Sequence, residues 1–164
     1  MFRRHALHSA IALAALLTLG ACATKPTAPA NLAEVAASTP SLSTFNKLAI
    51  EAGLADTLRG TSPHTVFAPS DAAFAAVPAK TLQALQADKA QLKEVLSFHI
   101  VAGAVASTDV KPGNVKTLQG GSVALARAGG FVTVEDALVE QADLRAPNGV
   151  VHIIDRVLMP PRAK

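Results

Sequence analysis

Near Gly103 the chain changes texture, and this change constrains its fold more than any other feature. Before that point short segments carry apolar residues at helical spacing. After it come short β-rich runs separated by glycine and asparagine. Asn31-Leu32-Ala33-Glu34 has the pattern of an N-cap with an acid three residues on, and it predicts a helix that stops before Pro40. Ser41 is placed to cap a second helix carrying Leu42, Phe45, Leu48 and Ala49 on one face, with Gly53 as its stop and one more turn over residues 54–58. His64–Ala68 reads as a short strand ended by Pro69, after which Ser70 or Asp71 caps a helix through Phe74. Further helices are expected over Ala79–Gln86 and from Asp88, where Leu92, Val95, Leu96 and His99 share a face; Ile100-Val101 is extended.

Beyond Gly103 the β-rich runs are Val115–Leu118, Ser122–Ala126, Phe131–Glu135 and Val150–Leu158. Turn signals stand at Gly113-Asn114, Gly120-Gly121, Gly129-Gly130 and Asn148-Gly149, and with the alternation in Val132-Thr133-Val134 they predict antiparallel hairpins. Helices first and strands later make an α+β domain. No internal repeat or second domain is visible.

The start of the chain belongs to something else. Arg3 and Arg4 precede an apolar run, Ala10–Leu19, too short to span a bilayer but suited to a signal-peptide core. Leu19-Gly20-Ala21-Cys22 follows and resembles the lipobox of bacterial lipoproteins. That resemblance implies cleavage after residue 21 and a diacylglyceryl group on the Cys22 thiol. Ala23 in place of Asp points, by the same analogy, to the outer membrane. Acyl chains of this kind hold a protein at a membrane, each buried methylene contributing about 0.8 kcal/mol. The expected organisation is a signal peptide over 1–21, a lipidated cysteine and Pro-containing tether over 22–31, and one domain over 32–162.

Taking residues 1–21 away from the 164 leaves 143, enough to bury roughly two-thirds of the unfolded surface around one core. It also removes the only charges before Cys22, leaving 13 basic against 12 acidic residues, a net +1. There is no basic stripe, and Trp and Tyr are absent, so the electrostatic and stacking features of nucleic-acid binders are missing. A single cysteine excludes an internal disulfide and a multi-cysteine metal site. After Cys22 the histidines are His64, His99 and His152, in no metal-binding spacing. No cofactor or metal is expected.

Two long segments resemble the fasciclin-like family. Thr65-Val66-Phe67-Ala68-Pro69-Ser70-Asp71-Ala72-Ala73-Phe74 is similar to its first signature, and the stretch Asn148-Gly149-Val150-Val151-His152-Ile153-Ile154 through Pro160 to its second. The resemblance spans roughly residues 32–160. It implies a β-wedge or sandwich of short, mostly antiparallel strands with several helices alongside, and roles in adhesion and surface attachment without a general enzymatic activity. By the same resemblance His99 is an interior hydrogen-bonded histidine, and Phe98 stands where the family usually has Tyr. Asp143-Leu144 falls where adhesion domains carry an acidic-hydrophobic pair used in recognition.

Read as residues alone, both signatures are scaffold: Phe67 and Phe74 enter the core, Pro69 ends a strand, and Asn148-Gly149 makes a tight turn. Ser70, His99 and Asp71 include the residue types of a hydrolytic triad, but Ser70 lacks the Gly-x-Ser-x-Gly elbow. The expected function is a membrane-anchored envelope module, periplasmic or surface facing, that binds a surface protein or polysaccharide. The alternative is a periplasmic small-ligand or lipid-binding protein, which requires an apolar pocket.

Overall fold

The computed structural model describes residues 28–161; Cys22, the signal-peptide segment, residues 22–27 of the tether and residue 162 of the expected domain lie outside them. Helices come first: α1 (Leu32–Ser38), a 3-10 turn (Pro40–Leu42), α2 (Ser43–Glu51) and α3 (Ala55–Arg59). Strand β1 (His64–Pro69) is followed by α4 (Asp71–Ala76), α5 (Ala79–Ala87) and α6 (Lys89–Phe98). The remainder is β2 (Ile100–Ala102), β3 (Gly113–Lys116), β4 (Ser122–Ala128), β5 (Phe131–Val134), β6 (Ala137–Ala146) and β7 (Gly149–Ile154).

Local side-chain caps open three of the six α-helices among the described residues, α1, α4 and α6. Asn31 Oδ1 accepts from the Glu34 amide at 3.0 Å, while Glu34 reaches back to accept from the Ala30 amide at 2.7 Å. Asp88 accepts from the Ala90 and Gln91 amides and opens α6. The start of α2 differs from expectation. Pro40 begins a 3-10 turn that takes in Ser41, so Ser41 is not at the helix start, and Leu42 occupies the cap position without a side-chain bond. The missing acceptor comes from elsewhere in the chain. Asp71 accepts from the Ser43 hydroxyl at 2.7 Å and from the Thr44 amide at 2.8 Å. Ser70, accepting from the Ala73 amide at 3.2 Å, is the cap of α4.

The seven strands form one sheet in the order β2-β1-β7-β6-β5-β4-β3. Only β1 and β7 run parallel, with Val66 opposite Val151 and Phe67 opposite His152. The two outer strands approach each other: Val101 bridges Thr117, and the Leu118 amide donates to Ile100 O at 2.7 Å. The sheet is therefore nearly a barrel with helices packed outside, an α+β fold.

Two apolar clusters follow from strand alternation. Val66, Ala68, Val151 and Ile153 face the helices, joining Leu32, Phe45, Leu48, Leu92 and Leu96. Phe67 and Ile154 face the barrel interior with Phe98, Val101, Val123, Leu125, Val132 and Val134. Val66 and Phe67 are thus both buried but on opposite faces, and Phe74 joins the helix-side cluster.

The strands depart from the sequence expectation in three places. The β-rich runs of the sequence leave out the span of β6; its register shifts twice between Val139 and Leu144, and Asp143 has φ +61°. Such bulges break the alternation by which strands are recognised. β7 stops at Ile154, because the chain then bends and the Leu158 amide turns to His99. β3 ends at Lys116, after which residues 117–120 turn toward β2.

Candidate functional site

Three polar clamps organise the interior, and each uses a residue singled out above. The first is Asn148, at the two-residue turn between β6 and β7. Its Oδ1 accepts from the Leu32 amide at 2.8 Å, and its Nδ2 donates to Leu58 O at 2.9 Å and Gly60 O at 2.6 Å. One side chain thereby ties the start of α1 and the end of α3 to the sheet. Gly149 beside it has φ +147°, and a Cβ there would collide with His64 O, because β1 and β7 begin in contact.

The second clamp is His99, fully buried at the end of α6. Its Nδ1–H donates to Val95 O at 2.8 Å, and its Nε2 accepts from the Leu158 amide at 2.9 Å. An acceptor facing a backbone N–H requires the neutral ring. Burial pushes its pKa down to about 4, against the bond to Val95, which favours the charged form.

The third clamp centres on His152 of β7, buried and stacked on Phe67 with ring centroids 5.5 Å apart. Here the tautomer is reversed. Nε2–H donates to Val105 O at 2.9 Å, and Nδ1 accepts from the Asp143 amide at 3.2 Å. Burial lowers the pKa of this ring, opposed by the Val105 bond and by the Asp143 charge. The Asp143 carboxylate accepts from the Ser107 amide at 2.8 Å and from the Ser107 hydroxyl. Burial would raise its pKa, but the Ser107 bonds, with His152 and Arg145 nearby, hold it below the usual carboxylate value.

Asp143 and His152 are thus brought together. Of the pair that the resemblance links to recognition, the Asp143 carboxylate is engaged by Ser107, and Leu144 packs against the helix-side core. Ser70, Asp71 and His99 are not joined: Ser70 caps α4, Asp71 serves α2, and both His99 nitrogens meet backbone groups. Pro69 is the last residue of β1 and Phe74 lies on α4. Among the described residues no group of three His, Cys, Asp or Glu is placed to hold a metal ion.

The residues that sequence reasoning missed fasten the segment between β2 and β3. Thr65 holds it at one end, donating to Gly103 O at 2.6 Å and accepting from the Val105 amide at 2.8 Å. Arg127 holds it further on by donating to Thr108 O at 2.8 Å. Nothing in their spacing marks Thr65, Ser107 or Arg127 as partners, since the bonds cross 19–40 positions in the chain. Between this segment and the β6–β7 turn lies an open cleft of about 310 Å³, lined by Ala104, Ala106, Asp109, Arg145 and Pro147. A second groove of about 230 Å³ runs between α1, α2 and α3, lined by Ala33, Ala37, Asn46, Ile50 and Arg59. Among the described residues no helix is long and apolar enough to cross a membrane.

Comparison with known proteins agrees with this architecture. The family described as the fasciclin domain matches residues 40–160. The Synechocystis protein sll1483 is 39% identical over 132 residues, covering 79% of this chain and 73% of its own length. The immunogenic protein MPB70 of Mycobacterium bovis is 36% identical over 152 residues, covering 85% of this chain and 78% of that protein. The cell surface glycolipoprotein MPB83 of the same species is 36% identical over 135 residues, covering 79% of this chain and 60% of that protein. Among solved structures, the fasciclin-domain pair of the insect cell adhesion molecule Fasciclin I superposes with a TM-score of 0.63 at 19% identity. That match covers 79% of this chain and 51% of the insect chain, so this chain spans about half of the pair. With a nearly closed seven-stranded sheet, the two signature segments paired in it as the parallel strands β1 and β7, and relatives of this kind, the chain belongs to the fasciclin domain family.

Proposed function

We propose that this chain is a non-catalytic binding module held at the cell envelope by a lipid on Cys22, recognising a surface protein or polysaccharide. The observation that carries this reading is the cleft beside Arg145. One of its walls is a segment without helix or strand, yet the sheet fixes it through Thr65, Asp143, His152 and Arg127. A wall immobilised before binding lowers the ordering cost of association. The relatives' names support the setting, since MPB83 is called a cell surface glycolipoprotein and the structural neighbour comes from a cell adhesion molecule. In this reading Asp143 and Leu144 act from beneath the surface, Asp143 by holding Ser107 and Leu144 by fixing β6 on the core. The eight residues between Cys22 and Asn31 can span up to about 30 Å.

Crosslinked pull-down from host envelopes tests this reading, using the full chain, a Cys22→Ala variant and Arg145→Glu. Capture of a surface component that Arg145→Glu weakens supports it. Equal recovery from all three chains removes it. Mass spectrometry of the full chain tests the anchor separately, through the acyl mass on Cys22.

The groove between α1, α2 and α3 supports a second reading, a small-ligand or lipid-binding protein. Ile50, 56% exposed, lies on its wall beside Ala33 and Ala37. Native mass spectrometry of protein purified from its host decides, because a retained apolar molecule would favour the groove over the cleft.

A further inference from the structure

Residues 103–112 form neither helix nor strand, and their attachment to β6 and β7 converges on one imidazole. His152 reaches the segment directly through Nε2–H to Val105 O, and indirectly through Asp143, whose amide donates to Nδ1 and whose carboxylate carries Ser107. The geometry admits one protonation state. A second proton on the ring would sit on Nδ1 and face the Asp143 N–H, so two donors would meet and that bond would be lost. The imidazolium would also face the carboxylate of the same residue and compete with Ser107 for it.

We propose that protonation of His152 breaks its bond from the Asp143 amide and draws the carboxylate of that residue off Ser107, freeing the middle of the 103–109 segment from β6. Thr65, Arg127 and the Nε2–H bond to Val105 O keep the flanks of the segment, and the cleft beside Arg145 loosens, making the module's recognition surface sensitive to acid. This deepens the binding reading above, because the cleft is the surface assigned there to a partner; the latch itself operates without one.

The surroundings of the ring suit this task. From β6 the charged group facing it is Asp143, with Arg145 next to that carboxylate. From β1 it meets Phe67, which is uncharged. From the segment it meets the Val105 carbonyl, and the acid on that segment, Asp109, lies on the exposed cleft wall. Asp143 is therefore the counter-charge available to an imidazolium here, and it is already engaged with Ser107. Burial opposes the charged ring while Asp143 favours it, so the latch is held shut at neutral pH and stays within reach of a proton.

Amide hydrogen exchange on the full chain, followed from about pH 7 to pH 5 and corrected for intrinsic rates, tests the latch. The reporters are the amides of Ser107 and Asp143; the controls are those of Phe67 and Ser70, which bond to His99 O and Ile154 O. The expected result is an opening constant for the reporters that rises up to about tenfold per pH unit below about 6.5, with the controls unmoved. His152→Gln keeps a donor and takes no proton, so its reporters should not respond to pH. Asp143→Asn removes the counter-charge and should move the response to lower pH. Reporters that follow the controls, or a His152→Gln chain that keeps the wild-type response, overturn the proposal. Should His152→Gln fail to fold, ring titration of His152 in the unaltered chain decides, since an inflection that does not coincide with reporter opening also overturns it. Acid-sensitive reporters in a chain that captures no partner support the latch and remove only the binding reading.

Discussion

Leu158 donates its amide to the Nε2 of His99 across 59 positions of chain, at 2.9 Å in a fully buried setting. The bond joins the end of α6 to the segment that leaves β7. It also gives the ring a single permitted charge state, because a protonated Nε2 would point a donor at a donor. His99 and His152 are held as opposite tautomers by the same device, a backbone carbonyl on one nitrogen and a backbone amide on the other.

The first prediction concerns acid stability. An unfolded histidine titrates near 6.5, and the folded His99 near 4. The unfolded chain therefore binds the proton first, so stability is complete above about 6.5 and falls as the pH drops toward 4. The loss from this ring should reach on the order of 3 kcal/mol. Urea unfolding at successive pH values measures it. His99→Gln should be less stable at pH 7 but flatter between these limits, the remaining slope belonging to His152, whose pKa is also lowered.

The second concerns Asn148. Replacing it by alanine strands the Leu32 amide and the Leu58 carbonyl, both in buried surroundings. Unmet buried groups each cost about 1–3 kcal/mol, so Asn148→Ala should lose about 3 kcal/mol in chemical denaturation. Protection should fall first at α1, detaching the first helix before the sheet opens.

Both signature segments could be read as scaffold from their residues: Phe67, Phe74, Val151 and Ile153 are buried, whereas Met159 near the end of the second is 45% exposed. What escaped reading was whatever depends on distant partners. Thr65 looks like an ordinary strand residue and Ser107 like an ordinary loop residue until β1 carries Thr65, and β6 carries Asp143, to the segment between β2 and β3. β6 escaped because its bulges and the φ +61° at Asp143 break the two-residue repeat. The faces of Val66 and Phe67 escaped for another reason. β1 is covered by helices on one side and the barrel interior on the other, so hydrophobicity does not alternate along it.

The third prediction is for Gly149→Ala. At φ +147° an alanine is strained whatever the space, and here the space is filled by the His64 carbonyl on the adjacent parallel strand. Moving that carbonyl would disturb the β1–β7 register at its first pair. The variant should lose more than about 2 kcal/mol or fail to accumulate as folded protein. A Gly130→Ala control, at a turn with open space, should leave the melting temperature nearly unchanged.

The fourth separates two neighbours that sequence reasoning could not tell apart. Ser70 caps its own helix, whereas Asp71 caps α2 from a position 27–28 residues downstream. Ser70→Ala should cost about 1 kcal/mol, as loss of a local cap does. Asp71→Ala should cost about 1–2 kcal/mol and also loosen α2, because no residue of that helix replaces the acceptor. The two are distinguished by pH. Burial raises the Asp71 pKa, but the bonds from Ser43 and Thr44 outweigh it and leave it below 3.8. The contribution of its charge is present above that value and disappears as the pH falls through the lowered pKa. The stability gap between Asp71→Ala and the unaltered chain should therefore narrow in strong acid, while the Ser70→Ala gap does not. Equal gaps at both pH values would mean that Asp71 supports α2 by shape rather than by charge.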